Sequence, residues 1–191
     1  MHCGFRSLPS LFLTVLFSWS LPSLQINSAK TRYPVYQDAD GYRILSILLN
    51  REGNGKNGTP LQINAVTVPV GCDAHVSDEF GSAYKDFVGV NQTIFELARE
   101  LSIETPYEFK EKLEEIEPPP PAPGEKALTV ESRRLFYSVS AVGFDKARTR
   151  AMVYLNSSTR SYFGGGLHMF KKSEREWREV KGSPICQVIG E

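Results

Sequence analysis

The chain is 191 residues long, with 22 basic and 22 acidic side chains and a formal net charge of zero. Its 41% hydrophobic and 11% aromatic content suffices for one core and excludes global disorder. The charge balance excludes the basic surplus of a dedicated nucleic-acid binder, and the length suits one domain with an appendage.

In chain order, the first element is an address. Arg6 is the only charged side chain before an uncharged, apolar run from Leu8 to Leu24 that Pro9 and Pro22 punctuate. A short basic start, an apolar centre and small residues beyond it describe a secretory signal peptide, whereas a membrane span needs about 20 apolar residues. Residues 1–29 are read as that peptide, with cleavage after Ser20 or Ala29; a retained N-terminal anchor is the alternative. Its removal takes away Arg6 and Cys3, leaving 21 basic against 22 acidic residues, a net charge of −1, and two cysteines, Cys72 and Cys186. An even pair in an exported chain predicts one structural disulfide between Cys72 and Cys186, with two separate buried thiols as the alternative.

Residues 30–191 are expected to form one domain. From Tyr36 to Asn50, Tyr36, Tyr42, Leu45, Leu48 and Leu49 recur at helical spacing, with Gly41 weakening the first half. Arg51 to Pro60 is a Gly/Asn loop, and Leu61 to Val70 reads as a β-branched strand that Pro69 places at an edge or an end. Tyr84 to Leu101 sets Phe87, Val90, Ile94, Phe95, Leu97 and Leu101 on a helical face. Thr105-Pro106-Tyr107-Glu108 has the form of a capping box with proline at the first helical position, and Phe109, Leu113 and Ile116 continue at helical spacing. That helix stops before the run Pro118 to Pro121, so 118–126 is a stiff connector.

The last third is β-rich. Leu128 to Phe144 ends in strand alternation, 145–149 is a turn, and Arg150 to Asn156 alternates Ala151, Val153 and Leu155 against Met152 and Tyr154. Gly164, Gly165 and Gly166 are read as a loop before a strand Leu167 to Lys172, and Glu176 to Lys181 is a final strand carrying Trp177 and Val180. The fold class expected is α+β: an antiparallel meander sheet with helices packed on one face.

Val142-Gly143-Phe144-Asp145, then Arg150-Ala151-Met152-Val153-Tyr154, then Gly164-Gly165-Gly166, then Lys171-Lys172 and Trp177 resemble the C-terminal half of a family of small uncharacterised bacterial secreted proteins. Upstream, Asp86-Phe87 with Asn91 is similar to a helix motif of that family. The resemblance runs from about Tyr36 onward. It departs at Asp145, where Asn is usual, at the proline run, and at Glu176, where a Gly turn is usual. It implies an exported compartment and an architecture, and no activity.

Catalytic patterns are sparse. Beyond the address there are two histidines, His75 and His168, without the spacing of a metal site. Cys72 and His75 share one loop, a conceivable thiol–imidazole pair. Ser138, Ser140 and Ser157 lie in or beside strands, with no nucleophile elbow. The three glycines precede a strand rather than a helix, so they do not form a phosphate loop. Asp78-Glu79 precedes an amphipathic helix whose dipole the acids complement, Glu114-Glu115 reads as a solvated pair on a lysine-containing helix, and Lys171 to Arg178 mixes signs. Asn57, Asn91 and Asn156 each open a glycosylation-type triplet, incidental in a bacterial chain. The expectation is a secreted or periplasmic, non-enzymatic binding or structural domain with no cofactor, no metal and an unidentified protein or small-molecule partner. A small hydrolase with a pocket between sheet and helices, marked by His168, Tyr154 and an acid, is the second reading. An inhibitor or immunity-like protein is the third.

Overall fold

The computed structural model describes residues 33–53, 60–69, 74–111, 136–159, 162–183 and 185–190. The expected signal peptide (1–29), the proline connector (118–126) and Cys72 lie outside them. Helix α1 (Ala39–Gly53) forms where the apolar spacing predicts. Asp38 caps it: its carboxylate accepts the Gly41 N–H at 2.9 Å and its carbonyl accepts the Tyr42 N–H at 2.9 Å. Tyr42, Ile44, Leu45, Leu48 and Leu49 are all buried. Gly41, a liability by propensity, is required here, because a Cβ at this position would collide with the Tyr36 ring. That ring packs edge-on against Tyr42 and Phe95, and its hydroxyl accepts the Val142 N–H at 3.2 Å.

Among the described residues eight strands make one sheet: β1 (Leu61–Asn64), β2 (Tyr107–Lys110), β3 (Phe136–Val139), β4 (Gly143–Phe144), β5 (Arg150–Thr159), β6 (Tyr162–Ser173), β7 (Glu176–Glu179) and β8 (Ile185–Gly190). The order is β2-β1-β3-β5-β6-β7, with β4 beside β5 and β8 beside β6. The α+β class holds, but the sheet is mixed and not an antiparallel meander throughout. β1 runs parallel to both β2 and β3, whereas β3, β5, β6 and β7 are antiparallel neighbours.

The second helix, α2 (Gly81–Val90), follows a 3-10 turn at Asp78–Phe80 and is shorter than the periodicity predicts. It ends at Asn91, whose carboxamide donates to Phe87 O (2.9 Å) and Ala141 O (3.0 Å) and accepts the Ala141 N–H (2.9 Å). An Asn side chain that bonds backbone groups offers them an alternative to the helical ladder. Beyond it the chain is extended. Glu96 bonds Pro34 and Tyr36, while Phe95 and Leu97 bond Thr67 and Ala65. Leu97 and Leu101 still reach the core, by this route rather than on a helix.

The expected helix at Thr105 is a strand instead. Tyr-Glu-Phe-Lys over 107–110 also alternates with period two, and pairing with β1 supplies a full hydrogen-bond ladder that a capping box cannot match. Tyr107 and Phe109 pack on the main core, while Glu108 and Lys110 pair at 3.5 Å. The glycine loop is corrected too: Gly164, Gly165 and Gly166 lie inside β6, opposite Ser157, Asn156 and Leu155. A Cβ on Gly165 would meet the Tyr154 hydroxyl at 2.7 Å and the Leu155 carbonyl at 2.8 Å. The glycine lets the Tyr154 side chain lie across the neighbouring strand.

Among the described residues two cores flank the sheet. Ala151, Val153 and Leu155 of β5 join α1 in the larger one, with Ile63, Tyr137, Val139, Phe170 and Trp177. Met152 and Tyr154 join Phe80, Ala83 and Phe87 of the α2 region, with Leu167, in the smaller one. Successive strand residues point to opposite faces, so α1 and α2 cover opposite faces. This corrects the expectation of helices on one face. The sequence shows that alternation in β5 but not which helix each side receives.

The predicted turn at 145–149 is present. The Asp145 carboxylate accepts the Thr149 N–H (2.7 Å), the Arg150 N–H (3.0 Å) and the Thr149 hydroxyl (2.8 Å). Arg148 takes a positive φ of 53° to close it. Burial pushes the Asp145 carboxyl up, but these hydrogen bonds win and hold it below the usual carboxylate range. A lowered folded-state value means stability that is present above the unfolded carboxyl pKa and lost as the pH falls. Asp145→Ala is expected to cost about 1–2 kcal/mol at neutral pH. The gap from wild type should narrow below about pH 4, as chemical denaturation at both pH values will measure.

Candidate functional site

A connected line of ionisable groups runs from the sheet to α1 through His168, Glu179 and Arg51. The β6–β7 hairpin pairs Phe170 with Glu179, which sets His168 and Glu179 on the same face two positions out of register. His168 is 3% exposed, and its Nδ1 is 2.7 Å from Glu179 Oε1. A carboxylate only accepts, so the bond assigns the proton to Nδ1 of the neutral ring. Glu179 Oε2 in turn accepts Arg51 Nη1 at 2.6 Å, from the last turn of α1. Arg51 also reaches Glu52 Oε1 through Nε and Nη2, at 3.2 and 3.1 Å. Burial pushes the His168 imidazole below the ordinary histidine value, against the upward pull of Glu179, with Arg51 adding to the depression and Glu52 opposing it.

At the other end of α1 a second cluster fixes the helix start. Arg148 Nη2 binds Asp38 at 2.6 Å, and Lys172 Nζ binds Asp40 Oδ2 at 3.0 Å. Arg148 stacks over Phe144 and Lys172 over Trp177, and the two rings lie 5.7 Å apart. Burial would raise the Asp40 carboxyl, yet Lys172 and Arg148 hold it below the usual range. Helix α1 is therefore tied to the sheet by ion pairs at both ends: Asp38 and Asp40 at its start, Arg51 at its finish.

The other sequence candidates separate. His168 and Tyr154, on which an enzyme pocket would rely, do not converge. His168 lies across from Val153 on the α1 face, and Tyr154 lies across from Leu167 on the α2 face. Ser140 is fully buried and structural: its Oγ accepts the Tyr154 N–H (2.8 Å) and donates to Ala141 O (2.9 Å), bridging the break between β3 and β4. Ser157 bonds the Gly164 carbonyl. Ser138 faces Asn156 across the β3–β5 ladder. Glu79 is an exposed acid between Arg150 (2.7 Å) and Lys171 (2.8 Å). His75 lies on the stretch before the 3-10 turn; its loop partner Cys72 is outside the described residues, as are Glu114 and Glu115.

The expected Cys72–Cys186 pairing reaches outside the described residues at Cys72; Cys186 lies in β8. Among the described residues, no group of three or more His, Cys, Asp or Glu is placed to hold a metal, and no helix is long and apolar enough to cross a membrane. Glu179, Arg51, Asp38 and Arg148 were not singled out in the sequence. The first could have been: a hairpin turning at Glu174-Arg175 puts His168 and Glu179 on one face by register alone. Compared with protein-family models, with curated proteins and with solved structures, the chain matches none.

Proposed function

We propose that residues 30–191 form an exported, non-enzymatic domain, secreted or periplasmic, that binds a protein or small molecule or packs within an envelope assembly. The observation that carries this reading is the division of His168 and Tyr154 between opposite faces of the sheet. The imidazole is engaged as an internal strut, through Glu179, to α1. A hydrolase pocket between sheet and helices would need both groups on one side. The uncharged run after Arg6 supports export. A Cys72–Cys186 disulfide belongs to this reading.

The test combines fractionation with mass spectrometry and a hydrolysis screen. The full chain expressed in a bacterium should appear in the envelope or medium, shortened by the leader. It should gain about two daltons on reduction, the two hydrogens a disulfide lacks. A full-length cytosolic product with free thiols would overturn the compartment. Purified wild type and His168→Gln should be equally inert toward ester, peptide and glycoside reporters. Turnover that the substitution abolishes in a folded protein would establish the hydrolase reading instead.

A further inference from the structure

The Arg51–Glu179–His168 cluster has an asymmetry that gives it a second use. Its middle member, Glu179 of β7, touches two basic groups from different layers: the titratable His168 within the sheet and Arg51 on the helix above it. His168 is neutral unless it is protonated, and it is enclosed. Arg51 is always charged, its side chain is 45% exposed, and it has a second carboxylate to hand in Glu52. When the ring is neutral, the negative charge of Glu179 is matched by Arg51 alone. When the ring takes a proton, two positive groups share one carboxylate, and only one of them is free to leave.

We propose that Glu179 is the shared anion of a proton-operated latch: Arg51 holds it while His168 is neutral, and the His168 imidazolium takes it over in acid, releasing the last turn of α1 from the sheet. The proton comes from solvent and goes to Nε2, the nitrogen that the Nδ1–H···Glu179 bond leaves basic. Arg51 falls back on Glu52, already 3.1 Å away. The charged and titratable groups that bear on the latch, among the described residues, are Glu179 from β7, Arg51 and Glu52 from α1, and Tyr137 from β3, which feels Glu52. Burial keeps Tyr137 protonated well above neutrality, so it does not titrate with the latch. The sign follows from linkage: a buried histidine held below its unfolded value contributes stability that is full above about pH 6.5 and declines as the pH falls through the folded value. At the opposite end of α1, Asp38, Asp40, Arg148 and Lys172 carry no histidine, so acid acts on one end of the helix first.

The experiment is an NMR titration of the His168 ring in the full chain. It is read together with hydrogen exchange of the amides from Leu48 to Glu52, corrected for the intrinsic pH dependence of exchange. In wild type, protection of that last turn should fall at least about threefold as His168 protonates, while the first turn of α1 keeps its protection. Arg51→Gln should raise the His168 pKa by about half a pH unit, and Glu52→Gln should lower it. Arg51→Gln should also leave the last turn weakly protected at every pH. Both positions are on the surface side of α1, so the variants should fold. Unchanged protection of the last turn through the His168 titration overturns the latch, even if the pKa shifts appear, since those report charge coupling alone. A His168 pKa that ignores Arg51→Gln overturns it as well.

Discussion

Gly143→Ala is expected to lower stability by about 3 kcal/mol. A Cβ at Gly143 would overlap the backbone nitrogen and Cα of Phe87. A flexible side chain could swing away from such an intrusion, but a helix backbone cannot. Relief requires α2 to lift off β4, and with it Phe87, which is fully buried in the smaller core with Phe80, Ala83 and Leu167. For a chain of this size that loss corresponds to a fall in melting temperature of about 6–12 °C. Two further glycines calibrate it. Gly165→Ala should cost less, about 1–2 kcal/mol, because part of the obstacle is the far end of the Tyr154 side chain. Gly89→Ala, near the exposed end of α2 with nothing within 4 Å of the added carbon, should be neutral or stabilising by about 0.5 kcal/mol. Thermal melts of the three variants rank them. A Gly143→Ala protein as stable as Gly89→Ala would contradict the close approach of α2 to β4.

These glycines also mark where the sequence stops being readable. Helix α1 and strand β5 were legible because their signals are local: one apolar stripe, one alternation. The 145–149 turn was legible because Asp145 bonds the backbone a few residues on. Local pattern reads 164–166 as a loop, whereas the demand for glycine at Gly165 comes from the Tyr154 side chain and the backbone of the next strand. At 107–110 the same residues satisfied a helical capping pattern and a two-residue alternation, and the presence of β1 decided between them. The division of His168 from Tyr154 is a further case. Both stood in recognised strands, but their faces follow from the β5–β6 register, which is fixed by pairing and not by composition. The ion pairs at both ends of α1 join residues more than a hundred positions apart, beyond any local pattern.

Asn91→Ala should destabilise by about 2–4 kcal/mol, because it orphans groups rather than merely removing bonds. The carboxamide fills three roles: donor to Phe87 O at the end of α2, donor to Ala141 O and acceptor from Ala141 N–H. Asn91 and Ala141 are both buried, so water cannot replace it. The same geometry bars a glycan at the Asn91-Gln-Thr triplet in the folded chain. Asn91→Asp separates the roles. A carboxylate still accepts the Ala141 N–H, but it turns lone pairs toward two carbonyl oxygens, so its pKa must rise above the ordinary aspartate value. A raised folded-state value gives stability that grows as the pH falls, so Asn91→Asp should recover between about pH 7 and pH 4 while Asn91→Ala does not. Denaturant titrations at the two pH values read this directly, and an Asn91→Asp loss independent of pH would refute the assigned donors. Asn91 and Gly143 secure α2 to the same short segment, 141–143. Once either is lost the helix has already moved, and the second substitution has less left to break. The double variant should therefore lose less than the sum of its parts, by at least about 0.5 kcal/mol.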